Sequence, residues 1–254
     1  MAISPRSQRL ILVSFVYKVI GIATMNLGQT AMTSGVQPPM KVARWAYFCY
    51  FAAMAGFMPF LPLYYESLGL SASEIGLLVG VTPVVTFIAA PLWGALADAT
   101  RQHRRMLLAA IAAAIGLVGV FLNVYELWQL LPIVVAYALV TAPIMPLVDN
   151  SVLAMLGDRR ERYGRIRLWG AVGWGVVGTA GGFLVDWVGL RASFLSYFLF
   201  MLLLWWAAVR LPVAATSIGK QFWQGARSLF AESQWLILMV VIFCSGLASG
   251  VTNT

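Results

Sequence analysis

The sequence predicts an all-α protein, a polytopic bundle of membrane-spanning helices. Three observations predict it. Of the 254 residues, 61% are hydrophobic and only 10% are charged, against about 45–50% and about 25% in an ordinary soluble domain. Mean hydropathy is +0.85, more apolar surface than a water-soluble core can hide, so the solvent is largely lipid. The apolar residues also run on without strand-like alternation, in stretches near the ~20 residues that a helix needs to cross hydrocarbon; an open sheet edge cannot sit in lipid.

The same figures exclude other classes. Cys49 and Cys244 are the only cysteines and lie in apolar runs, so no disulfide scaffold is built. One histidine and nine acidic residues offer no metal-site spacing, and no cofactor is implied. The formal charge of +8 would suggest nucleic acid only if it formed one wet face. It is scattered in short clusters between apolar runs instead.

Taken in order, residues 1–39 read as an N-terminal extension. Arg6 and Arg9 precede a short apolar run that Lys18 interrupts, without a clear small-residue cleavage pattern. The spans follow at 44–65, 74–97, 105–123, 127–156, 165–186 and 191–211, a six-helix bundle over 40–211. Ser71 and Glu74 form a capping box ahead of the second. Residues 212–233, amphipathic with Lys220 and Arg227, read as a linker on the cytoplasmic membrane surface. A seventh span lies at 234–253, so that 234–254 begins a second bundle. Lys41, Arg44, Arg101, Arg104, Arg105, Arg159, Arg160, Arg162, Arg165, Arg167, Arg210, Lys220 and Arg227 all fall on one side, with Arg191 alone opposite. The positive-inside rule places the thirteen, and the N-terminus of the first span, in the cytoplasm. Trp45, Trp128, Trp187 and Trp235 near span ends fit interfacial anchors.

Between the second and third spans lies Gly94-Ala-Leu-Ala-Asp98-Ala-Thr-Arg101-Gln-His-Arg104-Arg105. This resembles the G-x-L-x-D-(basic cluster) signature of the major facilitator superfamily. Gly94 would let two helices approach. Asp98 at a helix end, with Arg101, Arg104 and Arg105, would form a latch between helix bundles on the cytoplasmic side. The family usually has Gly three residues after the Asp, where this chain has Arg101. The bland reading is a positive-inside loop, with His103 a solvated charge partner.

A second block is more specific. Pro146-Leu-Val-Asp149 is followed, across Gly157-Asp-Arg-Arg-Glu-Arg-Tyr-Gly164, by Arg165-Ile-Arg167-Leu-Trp-Gly170-Ala-Val-Gly173-Trp174. It is similar to the helix 4–helix 5 hairpin of the lactose permease, phenylpropionate permease and nucleoside–proton symporter group of the superfamily. In that group a carboxylate, an Arg and a Trp at these spacings line the solute site. The resemblance thus implies a substrate site of Asp149, Arg167 and Trp174, with Asn150 beside them, and coupling to protons. It covers one six-helix half; a complete transporter has a second, C-terminal bundle, needed for full function.

The residues support a pair without the family. Asp149 and Arg167 are equidistant from residue 158, the middle of the turn, so an antiparallel hairpin puts them at one depth, where a charge inside a membrane needs a partner. Trp174, two turns beyond Arg167, shares its face. Gly170, Gly178 and Gly181 share that stripe and either open room for a substrate or let the helix pack closely. The structural alternative makes Asp149 a solvated brace near the cytoplasm. Asp186 and Arg191 read as a local pair at the outer turn. Pro59-Phe-Leu-Pro62 echoes Pro143-Ile-Met-Pro146, as broken helices at a cavity do.

The expectation is the N-terminal half, plus helix 7, of a proton-coupled transporter of a small polar or aromatic organic solute. It would lie in the inner (cytoplasmic) membrane, with lipid as its surroundings and no nucleic-acid partner, and work by alternating access. Helices 1, 4 and 5 would line the site. The rivals are a seven-helix sensor or receptor, whose common topology is opposite, and a truncated, inactive fragment. An enzyme is disfavoured by the lack of clustered His, Asp, Ser or Cys.

Overall fold

The computed structural model describes residues 40–211. Within them the chain is helices joined by short turns, with no strand. Six helical stretches are long and apolar enough to cross a membrane: Met40–Ser67, Ala72–Ala97, His103–Phe121, Leu127–Leu156, Arg160–Val188 and Arg191–Arg210. These are spans 1 to 6, and they match the six expected between residues 44 and 211. The extension at 1–39, the linker at 212–233 and the seventh helix lie outside the described residues.

Both proline pairs interrupt their helices, because proline has no N–H for the carbonyl four residues back. Span 1 is helical over Met40–Phe57, tightens to a 3-10 turn over Met58–Phe60, and resumes over Leu61–Ser67. Span 4 divides into Leu127–Thr141 and Ile144–Leu156. Pro83 and Pro91, by contrast, stay inside the continuous helix Ala72–Thr100 of span 2. That helix begins on the expected capping box, Ser71 N–H donating to Glu74 Oε2 at 2.8 Å.

Span 2 ends at Arg101, which takes φ +53° and closes the helix with its N–H on the Ala97 carbonyl at 2.9 Å. Arg101 is the one non-glycine residue with positive φ among the described residues. The position where the resembled motif carries glycine therefore takes a left-handed conformation with arginine, against the steric cost of a Cβ.

Span 1 is the centre of the bundle. It packs along spans 5 and 6; span 3 joins spans 4 and 6, and span 2 lies along the first segment of span 4. The span 1–span 5 contact is close because glycines face span 1. A Cβ on Gly173 would stand 2.5 Å from the Phe48 carbonyl oxygen, and one on Gly170 2.4 Å from the Phe51 ring. Gly170 and Gly181 thus pack helices together rather than opening room, which settles that alternative for these two. Phe57, Phe121, Tyr137, Phe194 and Tyr197 meet edge-on or tilted at the core, and Tyr64 donates its hydroxyl to the terminal Phe121 carbonyl of span 3 at 2.8 Å.

Two local expectations fail. His103 is buried, 3% exposed, at the start of span 3, although Gln102, Arg104 and Arg105 around it are exposed. Asp186 and Arg191 are both exposed and form no ion pair among the described residues. Nothing among the described residues lies within 4 Å of where a Gly94 Cβ would be. Trp45, Trp128 and Trp187 are exposed at span ends, as anchors must be.

Candidate substrate site

The hairpin of spans 4 and 5 brings Asp149 and Arg167 together. Arg167 Nη1 stands 3.2 Å from Asp149 Oδ2. The equal-depth argument therefore holds. By helical rise, Arg167 lies only four residues, ~6 Å, past the start of the helix Tyr163–Val188. Trp174 lies a further ~10 Å along it.

Two tyrosines complete the cluster. Tyr47 of span 1 and Tyr163 of span 5 both donate to Asp149 Oδ1, the latter at 2.9 Å. Tyr163 in turn accepts from Arg167 Nη1 at 2.7 Å, and the guanidinium carbon lies 5.9 Å from the centre of its ring. Asp149 thus accepts three hydrogen bonds from spans 1 and 5. These four side chains come from spans 1, 4 and 5.

The cluster is lopsided in exposure. Tyr47 is fully buried, whereas the Arg167 side chain is 49% exposed and that of Asp149 23%. Among the described residues only Nη1 of Arg167 has protein partners, Asp149 and Tyr163. Trp174, 44% exposed, borders the same face. Asn150 is half-buried beside Asp149 and makes no side-chain hydrogen bond among the described residues. Chemically, the face offers a cationic fork with a carboxylate behind it and an indole two turns on.

Neither tyrosine follows from the sequence reading above. Tyr163 had a local signal, since it lies four residues before Arg167 on one helix face. Tyr47 had none, being far away in the chain inside an apolar run.

Two arginines of the loop between spans 2 and 3 have partners among the described residues. Arg104 donates to the Val209 carbonyl at the end of span 6, satisfying an open helix terminus. Arg105 Nη1 donates to Gln102 Oε1 at 3.3 Å within its own loop. The Asp98 side chain lies outside what the structure describes. Among the described residues no group of three or more His, Cys, Asp or Glu could hold a metal.

Comparison with known proteins agrees with this architecture. The chain is 33% identical over 201 residues to the maltose permease of Geobacillus stearothermophilus, covering 78% of this chain and 50% of that protein. It is 34% identical over 152 residues to the multidrug resistance protein MdtG of Yersinia enterocolitica, covering 56% and 36%. With the probable 3-phenylpropionic acid transporter of Escherichia coli the identity is 28% over 145 residues, covering 56% and 38%. The chain spans about half the length of the first of these relatives and less of the others. All are named as permeases, transporters or resistance proteins, none as an enzyme. Residues 42–254 match the MFS_1 like family, and this multi-pass membrane chain belongs to it, carrying the N-terminal half of the major facilitator pattern.

Proposed function

We propose that this chain forms one half of a secondary transporter that moves a small polar or aromatic organic solute across the inner membrane by alternating access. The solute sits against spans 1, 4 and 5. Arg167 binds its carboxylate or hydroxyl, Asp149 orients the guanidinium, Trp174 stacks on a ring, and Asn150 offers an amide at the rim. A facing six-helix bundle completes the pathway, with 212–233 as a surface linker and 234–254 as the first helix of that bundle. Proton coupling is part of the reading, by resemblance to the symporters of the group. The N-terminus and the loops at 98–105 and 157–166 face the cytoplasm, where Gly94, Asp98 and Arg101 serve the latch.

One observation carries this reading. A structural ion pair buried for stability would spend its whole fork, because unpaired N–H donors in lipid are costly. Arg167 instead pairs through Nη1 alone, with Asp149 and Tyr163, among the described residues, and its side chain is 49% exposed. A planar fork of that kind suits bidentate binding of a carboxylate or paired hydroxyls.

The relatives' names supply two probes, maltose and 3-phenylpropionate. With the 254-residue chain in proteoliposomes, tryptophan fluorescence should be quenched saturably by one of them, and Arg167→Ala should remove the quench. Saturable quenching that survives Arg167→Ala, or none with either probe, overturns the assignment.

A further inference from the structure

At Pro143 the fourth span loses a backbone hydrogen bond. Proline has no N–H for the carbonyl of Leu139, four residues earlier. Lipid supplies no donor in its place, so a carbonyl opened within the hydrocarbon must be satisfied by a neighbouring helix. Span 2 does this: the indole N–H of Trp93 donates to the Leu139 oxygen at 2.7 Å. Two residues earlier, the Tyr137 carbonyl accepts from Thr141 Oγ1 at 2.8 Å.

Span 4 changes partners at the same point. Leu127–Thr141 packs along span 2 and span 3, whereas Ile144–Leu156 packs chiefly on span 3, with further contacts to spans 1 and 5. Asp149 and Asn150 belong to that second segment. The direction the chain takes at 142–143 therefore decides where Asp149 meets Tyr47, Tyr163 and Arg167.

We propose that Trp93 is a positioning residue for the Asp149 cluster. Its bond to the carbonyl that Pro143 frees holds the bend of span 4, and the bend holds Asp149 in register with span 5. Trp93 acts through the backbone of span 4, because its hydrogen bond is to Leu139 and not to the cluster. The bearing on transport rests on the site reading above; the bend does not, and its test needs no substrate.

The test is a four-chain cycle in native membranes: parent, Trp93→Phe, Pro143→Ala and the double variant. Each carries Cys49→Ala, Cys244→Ala and Asn150→Cys, whose thiol is alkylated with N-ethylmaleimide. Phe keeps an aromatic ring but has no donor. Pro143→Ala gives Leu139 back its own backbone N–H, which makes the indole bond dispensable. Trp93→Phe should change the alkylation rate roughly tenfold in the Pro143 chain, as losing a partner for a polar group in lipid would. In the Pro143→Ala chain it should change the rate by less than about twofold.

A ring that serves only as packing predicts equal effects in both backgrounds, and that result overturns the proposal. So does no effect in the Pro143 chain. If Trp93→Phe does not accumulate, the double variant decides: accumulation at the parental level upholds the proposal, and joint loss defeats it. Failure here leaves the maltose and 3-phenylpropionate experiment standing, and the converse also holds.

Discussion

Tyr47 in span 1 donates its hydroxyl to Asp149 in span 4, 102 residues later in the chain. This bond joins the central helix to the hairpin that carries the candidate site. The phenol is fully buried.

Tyr47→Phe should destabilise the chain by about 1–3 kcal/mol, the cost of leaving a half-buried charged acceptor with one donor fewer. Phe fits the same space, so packing is unchanged. Buried Cys49 is a convenient reporter: with Cys244→Ser, a maleimide dye reads its exposure on heating. The melting temperature should fall, and fall much less when Asp149→Asn is already present. An unchanged melting temperature would show that the bond bears no load.

The glycines of span 5 divide sharply. A Cβ on Gly173 meets the Phe48 carbonyl at 2.5 Å, whereas one on Gly175 meets nothing within 4 Å. Gly173→Ala must push spans 1 and 5 apart and should cost more than about 2 kcal/mol, in the range of overpacked cores. Gly175→Ala should be neutral or stabilise by about 0.5–1 kcal/mol, through helix propensity alone. Thermal exposure of Cys49 again measures both. Equal effects would mean that the two spans do not approach as described.

Which parts of this were legible depends on how local the cause is. A span is a local property of some twenty consecutive residues, so six of them could be read to within a few positions. Asp149 and Arg167 were readable because a short turn at residue 158 fixes their relative depth by counting. Tyr47 was not, since an aromatic residue in an apolar run looks the same whether it fills core or donates to a carboxylate. His103 misled for the same reason: its neighbours Arg104 and Arg105 are basic, yet burial depends on helix packing that no nearby residue announces. Gly94 was read from its motif, and nothing among the described residues lies within 4 Å of its Cβ position.

Arg101 holds a left-handed conformation at φ +53°. Relief of the Cβ clash is worth about 1–2 kcal/mol, offset by about 0.4–1 kcal/mol for the freer unfolded glycine. Arg101→Gly should therefore raise stability by about 0.5–1 kcal/mol on balance, and Arg101→Val should lower it, since a β-branched residue tolerates positive φ worst. The reverse order in thermal unfolding would place the turn in another conformation.

Topology is open to direct labelling. Gln102 and Ser67 are exposed at opposite ends of span 2's connections. Single cysteines there, in a chain with Cys49→Ala and Cys244→Ala, should label oppositely with an impermeant thiol reagent on intact cells. Ser67→Cys should react from outside and Gln102→Cys should not. Reaction at Gln102→Cys from outside would invert the orientation drawn from the basic residues.

The Asp149–Arg167 pair has two roles to separate, a binding fork and a folding brace, and they respond oppositely to double substitution. Either single change leaves one charge without its partner at a half-covered position. If the pair is only a brace, the Asp149→Asn/Arg167→Gln chain should fold and bind better than either single variant, because no unpaired charge remains. If Arg167 holds the solute, the double variant restores folding but not binding. Arg167→Lys sharpens the contrast. An ammonium can sit near Asp149 and Tyr163, yet it cannot also present a second planar pair of N–H groups outward. Binding in Arg167→Lys should then fall nearly as far as in Arg167→Ala, while stability stays closer to the parent. Trp174→Phe should keep part of the affinity by stacking a smaller ring, and Trp174→Ala should lose more. The quench of tryptophan fluorescence cannot report on Trp174 itself, so these two variants are read by equilibrium dialysis with radiolabelled maltose and 3-phenylpropionate. Recovered binding in the double variant would leave Arg167 as a brace and move the solute site elsewhere in the bundle.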